Sequence, residues 1–136
     1  MKPSLRPGLE RRERVVVDAG RVIEFLGRDG RVYSTPSMVN DVEYACFRLL
    51  AEHLEPGESS VGVHVAVDHV AATPIGAEVE IMTRIAFVQD RGVQFEAEVR
   101  DGEEVVGRGR HRRVVVAVER YVERVQAKAQ RLRRET

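Results

Sequence analysis

Between Ser34 and Leu54 the chain keeps a helical rhythm without a break, and from Ser60 to Val118 it keeps a rhythm of two. That switch limits the fold more than any other feature. In STPSMVNDVEYACFRLLAEHL, the residues Val39, Glu43, Cys46 and Leu50 recur at helical intervals, beside a second stripe of Met38, Val42, Ala45 and Leu49. Pro36 disfavours helical geometry at Thr35, so the helix is predicted to begin no earlier than Pro36, with Thr35 or Ser37 as its N-cap. Glu55, Pro56 and Gly57 stop it. Upstream, Leu9 to Asp18 and Arg21 to Leu26 read as short strands joined by a turn at Ala19 and Gly20 and closed by Asp29 and Gly30.

After the helix, Val61, Val63, Val65, Val67 and His69 alternate with Gly62, His64, Ala66, Asp68 and Val70, which predicts a strand with one apolar face. The turn ATPIG follows. Glu78 to Val88, Val93 to Arg100 and Glu104 to Val118 are then separated by turns at Asp90 to Gly92 and at Asp101 and Gly102, giving antiparallel strands. Val118, Val122, Val125, Ala129 and Leu132 repeat every three or four residues, so Glu119 to Arg134 is predicted as an amphipathic terminal helix. The fold class is α+β, an antiparallel sheet wrapped around one long central helix.

A chain of 136 residues with 43% hydrophobic content supports one core of ordinary size, hence one domain over residues 1–136. The 22 basic and 22 acidic residues cancel, which argues against the broad positive field of a nucleic-acid binder. No apolar run has the length of a membrane span, and the first stretch has charges but no hydrophobic signal segment, so the expectation is a soluble, cytoplasmic protein without a membrane partner. Cys46, the one cysteine, excludes an internal disulfide and reads as core filler.

Glu43 is the chemical anomaly of the helix. A carboxylate within or beside an apolar face must be hydrogen-bonded, paired with an arginine, protonated, or next to a water-filled cleft. His69 ends a valine-rich strand and has an ordinary pKa near neutrality, which suits proton transfer, although a hydrogen-bonded structural histidine is the bland alternative. On the last strand, Arg108, Arg110 and Arg112 alternate with Gly107, Gly109, His111 and Arg113, which separates a solvated arginine face from a face containing Arg113. His53, His64 and His111 form no metal-ligand spacing with the cysteine, and no phosphate-binding glycine loop is present, so no metal and no cofactor are expected.

Several of these residues together resemble a known family. TPSMVNDVE with Thr35 and Glu43, GVHVAVDH with Gly62 and His69, the AATPIG turn, and GRGRHRRVVV with Arg113 are similar to hotdog-fold thioesterases, most of all the fluoroacetyl-coenzyme A thioesterase family. The match runs from about Tyr33 to Val116. The resemblance implies a hotdog fold, a homodimer, a catalytic trio of Thr35, Glu43 and His69, and substrate contacts from Gly62 and Arg113. In those roles Glu43 attacks the thioester carbonyl or orients water, Thr35 polarises by a hydrogen bond, and His69 moves a proton. One condition attaches. Eight residues of continuous helix rise about 12 Å, so Thr35 and Glu43 meet only if the segment before the helix folds back.

The link GRDGRVYST is shorter than the lid of the fluoroacetyl enzyme and has Tyr33 as its only aromatic residue, so a gate is not expected. The expected activity is hydrolysis of a short or medium acyl-coenzyme A thioester to the free acid and coenzyme A. The alternative is a non-catalytic module that binds or senses acyl-coenzyme A. A third reading, hydration of an enoyl thioester, is weakened by Asp68 pointing away from His69.

Overall fold

The computed structural model describes residues 1–135. Five strands form one antiparallel sheet: β1 (Glu10–Val16), β2 (Glu58–His69), β3 (Glu78–Gln89), β4 (Gly92–Arg100) and β5 (Val105–Ala117), in the order β1-β3-β4-β5-β2. Helix α1 (Thr35–Ala51) lies against the inner face, and α2 (Val118–Glu135) follows β5 directly. The predicted α+β architecture is therefore present.

Burial explains the wrapping. Met38, Val42, Ala45, Cys46, Leu49 and Leu50 on α1 are at most 1% exposed and meet Val79, Ile81, Ile85, Val93, Phe95 and Val99 from the sheet. Sequestering each of the larger side chains contributes roughly 1.5–3 kcal/mol. Gly107 sets the closeness of approach, because a Cβ there would stand 2.5 Å from the Met38 sulfur. Cys46 is fully buried, and burial pushes its thiol up to about 12, which leaves it unreactive as the core-filler reading expected.

Local details differ from the sequence reading for physical reasons. Arg21 to Leu26 is not a strand. Only Val22 pairs, with Tyr33, and the segment links two 3-10 turns, Ala19–Arg21 and Arg28–Gly30. The first turn is capped by Asp18, which accepts from the Gly20 amide at 3.1 Å. Helix α1 begins one residue earlier than Pro36, because Ser34 rather than Thr35 or Ser37 is the cap, accepting from the Ser37 amide at 3.1 Å. It ends at Ala51, short of Leu54.

The most consequential difference lies in β2. Gly62 pairs with Arg113 and His64 with Arg112, so Val63 is an extra residue in a bulge. Simple alternation put Gly62 on the face opposite His69. The bulge reverses this and places Gly62, Val65, Val67 and His69 on the inner face, across from Arg113, His111, Gly109 and Gly107.

Candidate active site

The five residues singled out from the sequence fall into two groups within one chain. The first is Thr35 with His69. Ser34 caps α1, so Thr35 occupies the first helical position beside the end of β2, and its Oγ1 lies 2.8 Å from His69 Nδ1. The other ring nitrogen, Nε2, is buried and has no hydrogen-bond partner. Tyr33 packs its ring edge-on at 6.1 Å. Burial holds the His69 pKa below its ordinary value, with a smaller opposing effect from the Ala71 backbone, so the ring is neutral at neutral pH. A neutral ring that donates from Nδ1 to Thr35 keeps a lone pair on Nε2, the arrangement a general base needs. The pair borders a cleft of about 570 Å³ whose walls include Ile23, Phe25, Val32 and Tyr33.

The second group is Glu43, Gly62 and Arg113. They line a cavity of about 400 Å³ together with Asn40, Tyr44 and Ser60. Glu43 forms no ion pair among the described residues and is half-buried beside this cleft, which fits the cleft reading rather than the arginine-paired one. Arg113 is held by Ser60, donating from Nε to the hydroxyl at 2.8 Å and from Nη2 to the carbonyl at 2.9 Å. Its Nη1 lies 3.1 Å from His111 Nε2, and because a guanidinium can only donate, that nitrogen accepts. The His111 proton therefore sits on Nδ1 and goes to the His64 carbonyl at 2.7 Å. Phe47 stacks beneath the guanidinium at 5.4 Å. Gly62 keeps this packing relaxed, since a Cβ would meet His111 Cε1 at 3.1 Å and Arg113 Nη1 at 3.3 Å, and those side chains would have to give by a few tenths of an ångström.

Thr35 and Glu43 do not meet, because the segment before α1 leads straight into a capped helix instead of folding back. Their eight-residue separation along α1 corresponds to about 12 Å of rise. Gly62 and His69 share a face of β2 but stand roughly 20 Å apart along it. Within one chain the trio is thus divided between two cavities.

Three features escaped the sequence reading. Asp41, not Glu43, is the buried acid of α1, at 6% exposure. It accepts from Arg21 Nε and Nη2 at 2.9 and 3.1 Å and from the Tyr33 hydroxyl at 2.6 Å, tying the 3-10 turn to the helix. Its signal was legible, because Asp41 lies three residues after Met38 and four before Ala45 on the apolar stripe. His111 is not among the expected site residues, although alternation on the last strand already puts it on the Arg113 side. Phe25, 80% exposed, borders the His69 cleft although the short link contains no such aromatic. Tyr33, the aromatic that the link does contain, is buried and committed to Asp41. The arginine face behaves as expected: Arg108, Arg110 and Arg112 are exposed while His111 and Arg113 are buried.

Among the described residues no group of three or more His, Cys, Asp or Glu side chains is placed to hold a metal ion, and no helix is long and apolar enough to cross a membrane.

Comparison with known proteins gives a consistent result. The profile of the fluoroacetyl-CoA-specific thioesterase family matches residues 17–119. The fluoroacetyl-CoA thioesterase of Streptantibioticus cattleyicolor is 37% identical over 97 residues, covering 71% of this chain and 70% of that protein. A solved structure of the fluoroacetyl-CoA thioesterase FlK superposes with a TM-score of 0.83 at 31% identity, covering 92% of this chain and 98% of the other. A hot-dog-like protein from Thermanaerovibrio acidaminovorans shares the fold, with a TM-score of 0.82 at 22% identity over 93% of each chain.

Proposed function

Because the chain belongs to the fluoroacetyl-CoA-specific thioesterase family and is a thioester hydrolase of hotdog fold, we propose that two copies of it build each active site and hydrolyse a short or medium acyl-coenzyme A. Thr35 and His69 come from one copy. Glu43, Gly62 and Arg113 come from the other. The observation that carries this reading is the buried Nε2 of His69, unpartnered while Thr35 holds Nδ1.

The sheet supports the homodimer. Strand β2 is an edge of 12 residues with no proline and with Val63 53% exposed, an open template for another strand. Antiparallel pairing of β2 with its copy about Ala66 sets Val65 against Val67 on the inner face and His64 against Asp68 on the outer face. Both contacts are complementary. The same register brings the bulge beside Gly62 against His69 of the second copy, so the two cavities become one.

In that composite site the thioester carbonyl lies between the Glu43 carboxylate and His69. In the water route, Glu43 orients a water, its proton passes to His69 Nε2, oxygen adds to the carbonyl, the carbon–sulfur bond breaks, and the thiolate recovers the proton. In the covalent route Glu43 itself attacks, the carbon–sulfur bond breaks as the anhydride forms and the thiolate leaves, and a water that gives its proton to His69 Nε2 cleaves the anhydride to the free acid and the Glu43 carboxylate, the proton going on to the thiolate. The apolar cleft of Ile23, Phe25 and Val32 suits an alkyl chain rather than a charged one. Thiol release measured over a panel of acyl-coenzyme A chain lengths tests the reading. Turnover that peaks at short or medium chains supports it, and tight binding without thiol release selects the non-catalytic alternative.

A further inference from the structure

Helix α2 carries an apolar stripe that its own sheet does not cover. The start of the helix is tied down, with the Val118 amide donating to the Gly57 carbonyl at 2.9 Å. From there the side chains that look back at the sheet are polar: Arg120, Glu123 and Arg124 line the cleft over residues 114–117 together with Arg91. The apolar stripe points elsewhere. Val118, Val122, Val125 and Leu132 are 41%, 44%, 51% and 52% exposed, and no residue of α2 is buried. A lone amphipathic helix of this length is marginal in water, so the stripe calls for a partner.

The spacing specifies what kind. Val118, Val122, Val125, Ala129 and Leu132 step by four, three, four and three, the period of 3.5 that defines the seam of a coiled coil, not the wider apolar face of a helix docked on a sheet. Charge selects the orientation. The first half of α2 balances Glu119 and Glu123 against Arg120 and Arg124, whereas the second half carries Lys128, Arg131, Arg133 and Arg134 against Glu135. Parallel alignment sets two basic halves side by side. Antiparallel alignment sets each basic half beside a balanced one and also opposes the helix dipoles favourably.

We propose that α2 pairs antiparallel with α2 of a second copy of this chain, with Val122 opposite Leu132 and Val125 opposite Ala129. This register keeps four seam positions in contact, overlaps the two helices over residues 119–135, further than the other four-position register, and its two-fold symmetry closes the interface on itself. The contact is separate from the β2 edge, because β5 delivers α2 next to Glu58, at the opposite end of β2 from His69. Two seams of this length bury less than a stable interface normally needs, so the pairing joins units already associated through another surface.

Sedimentation of the full chain beside the variant Val122→Glu/Val125→Glu tests it, with thermal melting to establish that the sheet domain of the variant is folded. The wild-type mass should be twice that of the variant. The variant mass should be that of two chains, because the α2 contact joins units already paired through β2, so the variant's absolute mass reports on the β2 pairing and the wild-type-to-variant ratio reports on α2. Equal masses overturn the proposal. Orientation is read by oxidation: a mixture of Val125→Cys and Ala129→Cys proteins should cross-link while neither does so alone, and cross-linking of Val125→Cys alone overturns the antiparallel arrangement.

Discussion

The Thr35 hydroxyl stands 2.8 Å from Nδ1 of His69, a residue 34 positions later in the chain. This contact fixes the ring and leaves its buried Nε2 as the free nitrogen. Replacing His69 with Ala should lower kcat by about 10²- to 10⁴-fold, the usual contribution of a positioned acid or base. Thr35→Ala should cost less, roughly tenfold, and Thr35→Ser should recover most of it because the hydroxyl returns. Steady-state thiol release measures all three, and a His69→Ala protein with wild-type kcat would remove this residue from the chemistry.

Gly62 and the Arg113 guanidinium are packed closely enough that a methyl group at position 62 would crowd Arg113 Nη1 at 3.3 Å and His111 Cε1 at 3.1 Å. In Gly62→Ala the crowding falls on Arg113, which lines the Glu43 cavity, and on His111, which accepts from that guanidinium. The expected result is a loss of at least about tenfold in kcat/KM with about 1–3 kcal/mol of destabilisation. Full activity in this variant would show that Arg113 need not keep its position.

The Asp41 cluster should report on stability before activity. Asp41→Asn removes the charge that Arg21 and Tyr33 satisfy, and a broken buried pair costs about 3–5 kcal/mol. Arg21 is 31% exposed, so solvent reduces the expected loss to about 2–3 kcal/mol. Tyr33→Phe leaves both arginine bonds and should cost about 1 kcal/mol. Urea unfolding gives both values. Equal, negligible losses would mean that the 3-10 turn is not held to α1 by this acid.

Burial lowers the pKa of both His69 and His111, the latter aided by the nearby Arg113 charge. Each is therefore neutral in the folded chain down to a lower pH than in the unfolded chain. The unfolded state binds more protons in that window, so stability is intact above about pH 6.5 and falls as the solution is acidified through the lowered values. Melting temperatures recorded between neutral and mildly acidic pH should decline, and the double variant His69→Gln/His111→Gln should flatten the decline. A flat wild-type profile would contradict the neutral assignment.

Much of this organisation is written in local pattern. The helix shows because Met38, Val42, Ala45 and Leu49 keep its period, and the inward placement of Arg113 shows because β5 alternates from Gly107 to Val115. Gly62 was misplaced for the converse reason: a bulge at Val63 leaves no mark in a run of valines, and one extra residue reverses every face before it. The acid on α1 was recognised as an anomaly but attached to Glu43, when Asp41 sits deeper on the same helix. Phe25 lay hidden because the cleft is built by tertiary contact between residues distant in sequence. Separation of Thr35 and His69 from Glu43 into two cavities was beyond sequence pattern altogether, since spacing along the chain does not record which cavity a side chain lines.

Subunit complementation tests the central claim most directly. Inactive Glu43→Gln and inactive His69→Ala proteins, unfolded together and refolded as a mixture, should regain thiol release from acyl-coenzyme A. Random pairing makes half of the dimers mixed, each with one intact site of two, so recovery should approach about a quarter of wild-type activity. A mixture as inactive as its parents, in which mixed dimers are shown to form, would contradict a site shared between two copies.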